Sequence, residues 1–100
     1  MSDVVAKAVD VLKDKFSGLD FGGVAKFQIE GEGAVMVDGT QSPPAVSPGD
    51  GDAAVTIIAA PDVFEEILSG SMNPTTAFMS GKLKIDGDMG MAMKLSSALA

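Results

Sequence analysis

The chain contains neither cysteine nor histidine. Without cysteine it can form no disulfide and offers no thiolate ligand, and without histidine it lacks the commonest general base in proteins. A Ser-His-Asp arrangement is excluded. The carboxylates that remain, such as the neighbouring Glu65 and Glu66, fall on faces predicted to be wet, where acid-base catalysis is poorly supported. We therefore expect a protein that is not an enzyme and that carries no cofactor.

A metal site is also not expected. The loop over 47–52 contains Asp50 and Asp52, but a calcium loop of the known type needs further oxygen ligands and a bidentate glutamate at its end. Counting from Asp50, that position is occupied by Pro61. The loop is better interpreted as a solvated turn.

Arginine is absent, and seven lysines face fourteen acidic residues, giving a net charge of −7. Phosphate binding needs a basic patch, so this balance excludes a nucleic-acid partner. Strong attachment to an anionic bilayer is disfavoured for the same reason, although Lys7, Lys13 and Lys15 could make a local contact. Any contact with a membrane is expected to be transient, and the sequence leaves the oligomeric state open.

Tryptophan and tyrosine are absent too, although 46% of the residues are hydrophobic and the mean hydropathy is +0.28. The apolar content is aliphatic side chains, methionine and phenylalanine, which suits an oily interior better than a surface that stacks on bases. No apolar run approaches the length of a membrane span, no signal peptide opens the sequence, and Ala98-Leu99-Ala100 is not a peroxisomal address. Residues 1–100 are expected to form one cytoplasmic domain.

Periodicity predicts the elements in order. Ser2 caps a helix that reaches about Phe16 and ends at Gly18. The signal Asp38-Gly39 predicts a tight turn before a strand over 40–46, which Pro43 and Pro44 should keep short and at a sheet edge. The other elements are strands over 25–30, 34–38, 55–58 and 82–86, short helices beginning at Pro61 and Pro74, and a helix after Asp88. Asn73 and Asp88 are the predicted caps of the last two helices, and the strict alternation over 82–86 turns Leu83 and Ile85 toward a core.

The last helix has more apolar surface than docking requires. At 100° per residue Met91 and Leu95 fall on one side, Met89 and Met93 fall on another flank, and little of the circumference stays wet. Two interpretations remain open. The helix is either buried packing, which methionine stripes usually are, or a lid over an apolar ligand, where flexible methionines adapt to guests of different shape.

The segment after residue 71 closely resembles the C-terminal signature of the sterol carrier protein 2 family of small lipid-binding domains. The resemblance is specific there and looser over the rest of the chain. Ala54 departs from the family's pattern, which often has an acidic residue at this position before the Thr-Ile pair. The matching residues, in order, are Met72-Asn73-Pro74, Ala77-Phe78, Gly81-Lys82-Leu83, Ile85, Gly87, Met89-Gly90 and Met93-Lys94-Leu95.

The resemblance implies an α+β fold with a five-stranded, largely antiparallel sheet, a crossover between the third and fourth strands, and helices on one face. It also implies non-catalytic binding, and transfer, of an elongated apolar lipid (fatty acid, acyl-CoA, sterol or phospholipid) in a tunnel between sheet and helices, gated by the last helix. The predicted ligand-binding residues are Val9, Leu12, Phe16, Phe64, Leu68, Phe78, Met79, Met89, Met91, Met93 and Leu95.

Two alternatives remain beside the lipid carrier. The chain could be an accessory module that presents lipid or isoprenoid quinone precursors to a biosynthetic complex. It could also be a ligand-free domain with a filled core, whose surplus apolar helix face forms a homodimer. The sequence names no head group for a ligand.

Overall fold

The computed structural model describes residues 3–17, 22–41 and 44–99. The order of the elements confirms the order predicted from the sequence. Three predicted features lie outside the described residues, namely the helix cap at Ser2, the helix end at Gly18 and the proline at the sheet edge, Pro43. The elements are α1 (Asp3–Lys15), β1 (Val24–Ile29), β2 (Gly33–Asp38), β3 (Ala45–Pro48), β4 (Val55–Ala59), α2 (Pro61–Leu68), α3 (Pro74–Met79), β5 (Leu83–Gly87) and α4 (Met89–Leu99).

The strands form one mixed sheet in the order β3-β2-β1-β4-β5. Only β1 and β4 run parallel, with Ala25 paired to Val55, and the other neighbours are antiparallel. The chain therefore crosses over between β3 and β4, as expected. This topology is an α+β arrangement, and it leaves β3 and β5 at the two edges of the sheet.

One face of the sheet carries the hydrophobic core. Phe27 on β1 lies between two other fully buried rings, with centroid distances of 5.9 Å to Phe16 and 6.1 Å to Phe64. The four helices contribute their apolar sides to the same cluster, including Leu12 from α1 and Leu95 from α4. The alternating apolar residues of β1 thus point to the helix-covered face, and their polar neighbours point to the other.

The third strand begins later than predicted. Asp38 Oδ1 accepts hydrogen bonds from the backbone N–H of Thr40, at 2.9 Å, and from the Thr40 hydroxyl, while Gln41 Nε2 donates to Oδ2 at 3.2 Å. These bonds hold residues 38–41 in a turn, so the prediction of a strand over 40–46 is wrong for Thr40 and Gln41, and β3 starts at Ala45. The bonds from Thr40, more than that from Gln41, hold the pKa of the Asp38 carboxyl below its usual value.

The crossover between β3 and β4 lies on the face of the sheet away from the helices. Lys26 and Met36 point to this outer face as cross-strand partners, and Met36 lies beside Gly51 of the crossing segment. Lys26 Nζ donates to Asp50 Oδ1 at 2.8 Å, and its side chain is only 17% exposed. The ion pair therefore fastens the crossing segment to the central strand.

Replacing Asp50 with alanine is expected to lower the free energy of unfolding by about 1 kcal/mol, because the largely covered ammonium group of Lys26 then loses its partner. The matched control is Asp52→Ala, which removes the same charge from an exposed residue with no hydrogen bond or ion pair in the described part of the chain. Urea titration of both variants measures the difference. Equal losses would show that the Lys26 contact does not fasten the crossover.

Candidate functional site

The large hydrophobic side chains that the described residues leave exposed lie together. Phe78 is 40% exposed, Met79 82%, Met89 47% and Met93 70%. All four line one groove. Single exposed apolar residues are ordinary on a protein surface, but a set gathered in one concavity marks a binding site or an interface.

The groove lies between α3, β5 and α4 and has a volume of about 380 Å³. This volume falls within the range of roughly 300–1,000 Å³ typical of pockets that hold small molecules. Its wall is mainly apolar, and the polar side chains that the described residues place in it all carry hydroxyl groups. The lining residues are Thr75, Phe78, Met79, Ile85, Met89, Met93, Ser96 and Ser97.

Two side-chain caps set the helices that form its walls. Asn73 Oδ1 accepts from the backbone N–H groups of Thr75, at 2.8 Å, and Thr76, at 3.4 Å, which starts α3 with Pro74 in its first turn. Asp88 Oδ1 accepts from the N–H of Met91 at 3.1 Å and starts α4. Both caps were predicted from the sequence, and they fix the residues at which α3 and α4 begin.

The rotation of α4 follows from the side it buries. Ala92, Leu95 and Leu99 are buried in the core. With that side inward, Met89 and Met93 point into the groove, while Met91 packs against the core and over Gly23. Met91 therefore packs, as the first interpretation expects, whereas Met89 and Met93 stay open, and their role over a ligand stays a prediction.

A second, smaller cleft lies between α1 and α2. It holds about 90 Å³, less than a quarter of the volume of the groove. Phe64 and Leu68 line it, and the ion pair between Lys7 Nζ and Glu65 Oε1, at 3.5 Å, lies at its edge. The cleft is too small for an elongated ligand.

The structure separates the predicted ligand-binding residues into three groups. Phe78, Met79, Met89 and Met93 line the groove. Phe64 and Leu68 line the small cleft. None of the remaining five lines either cavity, because they pack in or against the hydrophobic core. These five are Val9, Leu12, Phe16, Met91 and Leu95.

The predicted wall from α1 is therefore not part of the groove, which is an open concavity beside the core. Leu12 and Phe16 are fully buried, and the Phe27 ring fills the space beside Phe16. Sequence reasoning missed four lining residues. Ile85 was assigned to the core side of its strand, but β5 is an edge strand and leaves it half-buried. The hydroxyl residues Thr75, Ser96 and Ser97 gave no signal.

Among the described residues, no charged group lines the groove. Across residues 3–17, 22–41 and 44–99, no three acidic side chains come close enough together to hold a metal ion. In the same described ranges, no helix has the length and apolar character needed to span a bilayer. The arrangement can cover an apolar molecule and offer it hydroxyl hydrogen bonds, but it places no ionisable group against it.

Comparison with known proteins finds matches to a single family. The model of the SCP-2 sterol transfer family matches residues 11–100. Hydroxysteroid dehydrogenase-like protein 2 of Xenopus tropicalis is 35% identical over 97 residues, covering 93% of this chain and 23% of the relative. Human sterol carrier protein 2 is 39% identical over 82 residues, covering 76% of this chain and 15% of the relative. The chain thus spans less than a quarter of the length of these curated relatives.

The fold has solved counterparts. The solution structure of sterol carrier protein 2 from Aedes aegypti in complex with the C16 fatty acid palmitate superimposes with a TM-score of 0.77. The match covers 100% of this chain and 97% of that chain, at 19% sequence identity. At this identity the likeness concerns the fold.

Proposed function

This chain belongs to the SCP-2 sterol transfer family, and from that premise we propose that it binds an elongated apolar lipid in the groove between α3, β5 and α4. The observation that carries the proposal is the gathering of Phe78, Met79, Met89 and Met93 in that one groove. An alkyl chain laid along it would cover all four side chains at once. The palmitate complex of the Aedes aegypti protein, which has the same fold, supports an alkyl chain as the occupant.

The energetics favour measurable binding. Burying one CH₂ group contributes about 0.8 kcal/mol, so a chain of about fourteen methylenes would contribute roughly 11 kcal/mol if fully covered. Association costs about 4 kcal/mol or more, which leaves about 7 kcal/mol and a dissociation constant near 10 μM. No reacting group is required. We infer a binding and transfer role in place of catalysis.

The role of α4 as a gate stays a prediction, and the packing of the helix limits how such a gate can move. Leu95 and Leu99 hold the helix in the core, so swinging the whole of α4 outward would expose buried apolar surface. Met89 and Met93 have flexible unbranched side chains at the open side. We expect these side chains, more than the helix backbone, to move when a ligand enters.

The test is native mass spectrometry of the freshly purified protein, with organic extraction of anything released, followed by titration with fluorescent polyene lipids. We expect a lipid-mass adduct, or saturable uptake of one probe molecule per chain. Protein that carries no lipid and takes up neither a polyene fatty acid nor a polyene alcohol would overturn the proposal. In that case concentration-dependent sedimentation would favour the dimerising domain, and recovery of a protein partner would favour the accessory module.

A further inference from the structure

Three hydroxyl groups line the groove, those of Ser96 and Ser97 at the end of α4 and that of Thr75 at the start of α3. In the part of the chain that the structure describes, none of these hydroxyls has a hydrogen-bond partner. Each can therefore donate to and accept from a ligand. A bound lipid whose head group lies beside one of these residues meets an uncharged hydroxyl group that can form a hydrogen bond.

The groove has a direction along α4. Met89 and Met93 come first, and Ser96 and Ser97 lie in the last turn. At 1.5 Å per residue, Met89 and Ser96 are about 10 Å apart along the helix axis. We therefore expect the apolar chain of a ligand to lie beside Met89 and Met93 and its head group to lie beside Ser96 and Ser97. These two ends of the groove are called the methionine end and the serine end.

The serine end disfavours an anion. The last turn of a helix carries partial negative charge from its free carbonyl groups, and α4 has no basic residue in that turn to offset it. Lys94 precedes this turn on an exposed part of the helix, and it does not line the groove. The protein as a whole carries a net charge of −7. The partial charge of the helix end and the net charge of the protein both disfavour a carboxylate placed beside Ser96 and Ser97, and no basic residue in the last turn of α4 offsets them.

The start of α3 does not compensate for this repulsion of a carboxylate. A helix start can attract anions through its free N–H groups, and Thr75 belongs to the first turn of α3. Asn73 Oδ1 already accepts from the N–H groups of Thr75 and Thr76. The Thr75 hydroxyl is what α3 offers to a head group here.

We propose that the groove selects a lipid with an uncharged, hydroxyl-bearing head group, such as a long-chain alcohol or a monoacylglycerol, over a fatty acid with the same chain. The inference rests on the proposed function, since it concerns the head group of the ligand in the same groove. Ser96 and Ser97 determine the selectivity, because they bond a hydroxyl head group, while the end of α4 repels a carboxylate.

The experiment compares two probes with the same fluorescent polyene chain, parinaryl alcohol and parinaric acid, titrated at pH 8, where the acid is ionised. We expect the alcohol to bind about fivefold more tightly, the difference that one neutral hydrogen bond typically makes. If the acid binds as tightly as the alcohol, or more tightly, the head-group inference is wrong and the proposed lipid binding stands. If neither probe binds, the proposed function fails and the inference fails with it.

Three variants separate the contributions. Ser96→Lys adds a cation at the serine end and is expected to reverse the preference toward the acid. The double variant Ser96→Ala, Ser97→Ala is expected to bring the two affinities within about twofold, chiefly by weakening the alcohol, which loses its hydrogen-bond partners. Lys94→Gln is the control, and the preference should survive it. Selective loss of acid binding in that control would show that a lysine receives the carboxylate and would overturn the inference.

Discussion

Met93→Asp is expected to weaken binding of a polyene lipid probe at least tenfold while leaving thermal stability nearly unchanged. Met93 is 70% exposed and lines the middle of the groove, so its side chain adds little to the core. A carboxylate there would be desolvated by any alkyl chain laid over it, and a buried unpaired charge is costly. Titration with parinaryl alcohol and a thermal melt of the same sample measure the two effects.

Two control variants make this result specific. Thr76→Asp places the same charge on an exposed position of α3 that does not line the groove, and we expect its affinity to stay near that of the unmodified protein. Leu95→Ala, two residues from Met93 but fully buried, is expected to cost about 2–5 kcal/mol of stability. If Met93→Asp lost stability and affinity to the same degree, Met93 would be a core residue and the groove would not be the binding site.

Gly87→Ala is expected to destabilise the fold by about 3 kcal/mol or more. Gly87 ends β5 with a φ of +112°, a conformation that side chains of L-amino acids rarely adopt. A methyl group there would collide with the backbone carbonyl oxygen of Ala54 and lie 3.0 Å from the Cα of Val55. Because both of these atoms belong to the backbone at the start of β4, no rotation of a side chain removes the collision.

Gly81→Ala is the matched control. Gly81 also has a positive φ, of +80°, but a methyl group would meet nothing within 4 Å. This variant should cost only about 1 kcal/mol, the strain of the backbone conformation itself. The difference between the two variants in urea unfolding isolates the close approach of β5 to β4. Equal costs would mean that β4 moves aside freely and that the start of α4 is not fixed there.

The sequence predicted most of this architecture because its local signals agree with the fold. Strict alternation around Leu83 placed β5, and the caps Asn73 and Asp88 placed α3 and α4. The helical periodicity of α4 correctly separated the flank of Met89 and Met93 from the flank of Leu95. Half of the groove lining follows from that periodicity and from the exposed end of α3.

The features that could not be predicted from the sequence depend mainly on contacts between side chains, most of them between residues distant in sequence. Whether Phe16 faces a cavity or a filled core is decided by Phe27, which packs against it. The late start of β3 depends on hydrogen bonds that the Asp38 carboxylate accepts from Thr40 and Gln41; these bonds compete with strand formation and are not visible in the apolar pattern. The contact of Lys26 with Asp50 requires the order of the strands to be known.

The crossover also affects the order in which the molecule can assemble. The pairs β1–β2 and β2–β3 close over short loops, whereas β4 must join β1 from across the whole hairpin, with Ala25 meeting Val55. Such non-local pairing carries a high entropic cost of loop closure, so we expect it to follow the local hairpins in folding. Every residue that lines the groove comes after β4, between Thr75 and Ser97. During synthesis and folding the groove is therefore expected to be completed late, on a sheet whose first three strands are already in place.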